Sequence, residues 1–132
     1  MYLAAPINRI YAPAITIDKG TAEITAEARA DLHHAAGGLH GSVYFKMLDD
    51  AAFFAVSSEV VDVFVLTASF HVSLLRPITT GPIRAVGRVV RLSSSVHVAE
   101  ATLYDAHGRE AARGIGDFAR SKVPLTPFVG YV

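Results

Sequence analysis

One stretch constrains this chain more than any other: residues 42 to about 58, SVYFKMLDDAAFFAVSS. It holds good helix formers and neither Gly nor Pro. Ser42 is suited to the N-cap, so the stretch reads as a helix about 25 Å long. Val43, Tyr44, Phe45, Met47, Leu48, Phe53, Phe54 and Val56 put apolar surface on every face of it. A helix of that kind has to be enclosed by its own protein.

The material to enclose it is β-structure. Residues 21–30 alternate, with Ala22, Ile24, Ala26, Ala28 and Ala30 on one side and Thr21, Glu23, Thr25, Glu27 and Arg29 on the other. Period two means a half-buried strand. Residues 63–75, 83–92, 96–104 and 110–119 are four more, rich in β-branched and aromatic side chains and separated by Arg76-Pro77, Gly81-Pro82, Ser93 to Ser95 and Asp105 to Gly108. A glycine-bearing loop, residues 31–41, leads into the helix. Residues 1–19, broken by Pro6 and Pro13, read as an arm or short helix, and 124–132 as an irregular tail. The expectation is one α+β domain over residues 1–132, a strongly curved antiparallel sheet of five strands wrapped around one long helix.

Composition excludes several functions. Twelve basic residues balance twelve acidic ones, against the clustered positive charge that nucleic acid demands. No run of about 18 uncharged apolar residues exists to span a membrane. The first ten residues, interrupted by Pro6 and Arg9, do not make a secretory signal, and with no cysteine a cytoplasmic location is the default. At 52% hydrophobic in 132 residues, apolar surface is left over for self-association.

Three charges sit on the helix: Lys46, Asp49 and Asp50. A carboxylate in such surroundings is costly unless it is paired or functional. Lys46 faces Asp50 at i,i+4 and Asp49 at i,i+3, so two structural acids are one reading and a reactive Asp49 the other. At the mouth of the helix, His40-Gly41-Ser42 offers backbone N–H groups and a positive dipole end. Those groups suit an oxyanion; an ordinary helix-start loop is the alternative. Asp49 lies about two turns further on, roughly 10 Å along the axis. A carbonyl held at the mouth would therefore meet the Asp49 of a second copy rather than its own. His33, His34 and His40 have no carboxylate partner beyond Asp31, which argues against a metal. His71 and His97 read as sheet residues and His107 as a turn residue. Serine-elbow, phosphate-loop and dinucleotide motifs are missing from the sequence.

Residues 40–55, HGSVYFKMLDDAAFFA, resemble the HGGxxxxLxDxAxxxA signature of the PaaI-like hotdog acyl-CoA thioesterases. The likeness continues in Leu75-Arg76-Pro77-Ile78, and in a last hairpin, residues 104–110, before Gly114-x-Gly116-x-Phe118. It implies a hotdog fold and an acyl-CoA thioesterase without cofactor, assembled as a homodimer or dimer of dimers with sites between subunits. Asp49 falls on the family's catalytic acid, as general base or as nucleophile, and His40 and Gly41 on its His-Gly. Ser42 replaces the second Gly. His34 stands where relatives carry Asn or Gln, and Asp50 where Thr or Ser often follows the acid. Arg84, Arg88 and Arg91 are the candidates for the CoA phosphates; Ser94, in a serine run where relatives carry basic residues, is a further substrate-binding candidate, as is Asp50. A hotdog dehydratase or hydratase and a non-catalytic acyl-CoA-binding module are the competing expectations.

Overall fold

The structure is a computed structural model and describes residues 1–130. Residues 131 and 132, the end of the expected irregular tail, lie outside the described part. Six strands form one antiparallel sheet: β1 (Ala14–Asp18), β2 (Thr21–Glu27), β3 (Val63–Leu74), β4 (Pro82–Arg91), β5 (Val96–Tyr104) and β6 (Glu110–Pro124). Their order is β1-β2-β4-β5-β6-β3. The expected five strands thus become six, β1 being the addition. It is short and at the sheet edge, with Ile15 alone partly buried, so its pattern carries no strong period. Gly20, at φ +75, makes the turn that folds it onto β2. β2 stops three residues sooner than its alternation predicts, and β6 runs five residues further.

The arm holds a 3-10 turn, Tyr2–Ala4, and a one-turn helix, α1 (Asn8–Tyr11). The long helix, α2, spans Gly41–Ser57 and crosses the concave face of the sheet. Its cap is His40, not Ser42. His40 has the extended backbone a cap requires, and its Nδ1 accepts the Ser42 N–H at 3.0 Å, where a serine or aspartate oxygen usually sits.

Small residues set how closely α2 approaches. Ala51, Ala52 and Ala55 lie buried over Ala22, Ala85, Ala99 and Ala101. At Gly87 of β4 a Cβ would stand 2.2 Å from the Ala51 carbonyl oxygen, so helix and sheet touch backbone to backbone there. Met47, Leu48, Val56, Ile83, Leu103 and Phe118 fill the core around this contact. Each contributes about 1.5–3 kcal/mol by leaving water. Gly114 and Gly116 of β6 leave room for the ring of Phe70 on β3, whose carbons would lie within 2.4 Å of a Cβ at either position. Phe70 then stands edge-on to Phe45 and Phe118, which is the physical content of the Gly-x-Gly-x-Phe motif.

The enclosure of α2 is incomplete. Phe45 is 43% exposed on the side facing β3, and Leu66 and Leu74 of β3 are more than half exposed. β3 is an edge strand, and among the described residues no further strand covers that side. Among the described residues no helix is long and apolar enough to cross a membrane.

Candidate functional site

Asp49 sits at the middle of α2, on the partly open side, and faces β3. Thr67 Oγ1 donates a hydrogen bond to its Oδ1 at 2.8 Å. Burial pushes the Asp49 carboxyl above its ordinary value, and the neighbouring Asp50 adds to this; the Thr67 hydrogen bond and the Lys46 charge pull the other way. Asp50 is differently placed. It forms a half-buried ion pair with Lys46, Nζ to Oδ2 2.5 Å, so the i,i+4 pairing prevails over i,i+3. One carboxylate is thus neutralised by a cation, and its neighbour is held only by a hydroxyl. Both line a cavity of about 680 Å³ together with Phe53, Phe54, Phe64 and Leu66.

The mouth of α2 opens elsewhere. Gly41 lines a smaller hollow of about 300 Å³ with His34, Gly38, Leu74 and Arg76. Two of the first N–H groups are already used: Ser42's by His40 Nδ1 and Val43's by the His40 carbonyl, 3.0 Å each. The Gly41 N–H has no partner among the described residues. Of the Gly41/Ser42 pair of donors expected from the sequence, Gly41 is the one left for a ligand, because the histidine cap consumes the other. The walls of the hollow are tied down by Tyr44, whose hydroxyl donates to the Arg76 carbonyl at 3.1 Å and accepts the Ile78 N–H at 2.8 Å. Leu39 N–H bonds the Ile78 carbonyl at 2.8 Å, so the glycine loop and the Leu-Arg-Pro-Ile segment form one rim.

The histidines are separately engaged. His33 Nε2 lies 2.6 Å from the Thr79 carbonyl, and His34 Nδ1 accepts the Ala36 N–H at 3.1 Å. His97 is buried in the sheet, its Nδ1 accepting the Ser93 N–H and its Nε2 unpartnered; burial lowers its affinity for a proton. Arg84 and Arg88 alternate with the buried Ile83, Ala85 and Gly87, so they stand on the sheet face away from α2. Arg84 pairs with Glu23 at 3.4 Å and covers the Tyr104 ring; Arg88 pairs with Glu100. Arg91, at the end of β4, and Ser94, in the following loop, are exposed. Within one chain, none of these four reaches the Asp49 cavity or the Gly41 hollow.

Two contributors escape a reading of the sequence. Thr67 looks like any strand threonine until β3 is laid beside α2; an unbroken alternation through residues 63–75 could have placed it inward. The N-terminal arm is the other. Met1, Tyr2 and residues 4–8 form a wall of the Asp49 cavity, and no local pattern marks them.

The family model described as the thioesterase superfamily matches residues 36–112, more than half of the chain. A protein of Saccharolobus solfataricus that bears the provisional name of esterase is 28% identical over 111 residues, covering 83% of this chain and 79% of that protein. Among solved structures, the Escherichia coli PaaI protein from the phenylacetic acid degradation operon superposes with a TM-score of 0.87 at 20% identity, over 96% of this chain and 91% of that one. The AziG protein of S. sahachiroi gives 0.83 at 24% identity, over 88% and 96%. These superpositions establish the fold, a hotdog: a curved antiparallel sheet around one long helix.

Proposed function

The chain belongs to the thioesterase superfamily, and from that premise we propose that it hydrolyses acyl-CoA thioesters at a site completed by two copies. One observation carries this reading. The reactive carboxylate and the free backbone donor lie on the same helix but open into different hollows, eight residues and so about 12 Å apart. The bare edge of β3 runs alongside both. A second copy pairing along that edge covers Phe45 and Leu66 and brings each Asp49 toward the other's Gly41.

In such a site the Gly41 N–H, at the positive end of α2, polarises the thioester carbonyl. The partner's Thr67 occupies one oxygen of the partner's Asp49 and leaves the other to accept a proton from water. The water oxygen bonds to the carbonyl carbon, and negative charge collects on the carbonyl oxygen beside Gly41. Collapse breaks the carbon–sulfur bond; the thiolate leaves and takes the proton that Asp49 holds. A carboxylate with a raised proton affinity is a better base for this step than an ordinary one. No cofactor is needed in this scheme. Phosphate contacts by Arg84, Arg88 or Arg91 require those side chains to meet a CoA that crosses from the neighbouring copy.

The test uses two inactive variants. Gly41→Pro removes one N–H at the first helical position, where proline is tolerated and the extended His40 before it is compatible. It and Asp49→Asn are each expected to lose about 10²–10³ in kcat on acyl-CoA while staying folded. Refolded together, they are expected to regain activity that neither has alone, because a mixed pair contains one intact site. A mixture as inactive as its components sinks the shared-site reading, and a fully active Asp49→Asn sinks the assignment of the base.

A further inference from the structure

We propose that the N-terminal arm is the specificity wall of this site, and that the acyl group it selects is apolar and of medium length. The inference rests on the hydrolase reading above and adds to it where the acyl group goes.

The argument begins with two rows on α2. Asp49 and Phe53 form one i,i+4 row; Lys46, Asp50 and Phe54 form the next, and both rows line the cavity. β3 walls the first row: Thr67 bonds Asp49, and Phe64 stands 5.3 Å from Phe53. The arm walls the second. The Tyr2 ring packs edge-on against Phe54 at 5.0 Å and under Lys46 Nζ at 5.4 Å, with Tyr11 under the same ammonium at 5.1 Å. What remains between is a trough that starts at Asp49 and ends, one helical turn on, against Phe53, Phe54 and Phe64.

The chemistry of the trough selects the ligand. Beyond Asp49 the charges present, Lys46 and Asp50, neutralise each other at 2.5 Å and are covered by the two tyrosines. Among the described residues no side chain lining the trough carries an unpaired positive charge, and an apolar acyl group fits it. The wall is also held in place. Asn8 Nδ2 donates to the Tyr2 carbonyl at 2.6 Å, and the C-terminal turn, Pro127–Val129, closes against the arm, with Gly130 so near that a Cβ would stand 3.2 Å from the Ala4 Cβ. Arg29 bonds the Ile10 carbonyl from the far side. A side chain that walls and narrows a pocket in this way limits the chain length it accepts, since each methylene gained or refused changes the rate severalfold or more.

The test measures thiol release from saturated acyl-CoAs, butanoyl to palmitoyl, by the parent, Tyr2→Ala, Tyr2→Phe and Ala5→Trp. The parent is expected to favour medium chains. Tyr2→Ala is expected to move the optimum to longer chains, with roughly tenfold gains in relative kcat/KM there. Tyr2→Phe, which keeps the ring, is expected to retain the parent order. Ala5→Trp fills the cavity from the arm and is expected to reject the longer chains, raising their KM more than that of the short ones. Binding of the same series is followed by calorimetry. A folded Ala5→Trp whose chain-length order equals the parent's, in turnover or in binding, overturns the proposal whatever Tyr2→Ala does. A parent that binds the series but releases no thiol sinks the hydrolase reading instead, and the order of binding then judges the wall by itself.

Discussion

Asp49 is a group the fold keeps at a cost. Burial raises its proton affinity above the ordinary 3.8. Between that value and the higher folded one, the folded state holds more protons than the unfolded state. Stability therefore falls as pH rises through this window, and the loss is complete above it. Asp49→Asn is accordingly expected to melt higher than the parent at neutral pH and to lose that advantage in acid, which a pH series of thermal melts checks. The acid limb of kcat/KM is expected above the ordinary carboxylate value for the same reason. Thr67 donates to the ionised form and holds this limb down, so Thr67→Val is expected to shift it upward. A pH–rate profile that does not move would remove Thr67 from the site. Asp50 shows how much a single partner decides: beside Lys46 it is half of an ion pair, while its neighbour has the Thr67 hydroxyl.

Among the elements, α2 does two jobs with two faces. The alanine face seats it on the sheet, and Gly87 sets the spacing. Adding a methyl there has no flexible neighbour to push aside, since the atoms in the way are the Ala51 carbonyl and the Ala52 nitrogen. Gly87→Ala is expected to cost about 3 kcal/mol, read from the denaturant midpoint with an unchanged slope. A loss below the noise of that measurement would mean that α2 is free to lift away. The other face, with Phe45 and Asp49, faces the edge strand β3, so the same helix is core on one side and candidate site on the other.

For the molecule as a whole, the sheet leaves two edges, β1 and β3, and β3 is the longer, with twelve residues and exposed Leu66 and Leu74. Such an edge is a template for pairing unless it is blunted by charge or proline, and β3 carries neither acidic nor basic groups besides His71. If a second copy covers it, folding and association are linked. The thermal midpoint is then expected to rise with protein concentration over a roughly hundredfold range. A midpoint independent of concentration, with a monomer in sedimentation, would leave the shared site without its partner.

Much of this protein is written in local pattern. Period two in residues 21–27, strand-forming composition in 96–104, helical composition in 42–57 and turn residues between the strands specify elements that follow from backbone geometry and side-chain preference alone. The pairing of Lys46 with Asp50 is equally local, because one helical turn brings them together. Tertiary structure decided the rest. It recruited the weakly patterned β1, set Thr67 against Asp49 across eighteen residues, turned Arg84 and Arg88 to the outer face, and folded Tyr2 over Phe54. Those contacts join residues far apart in the chain, and their free energy exists only once sheet, helix and arm have met.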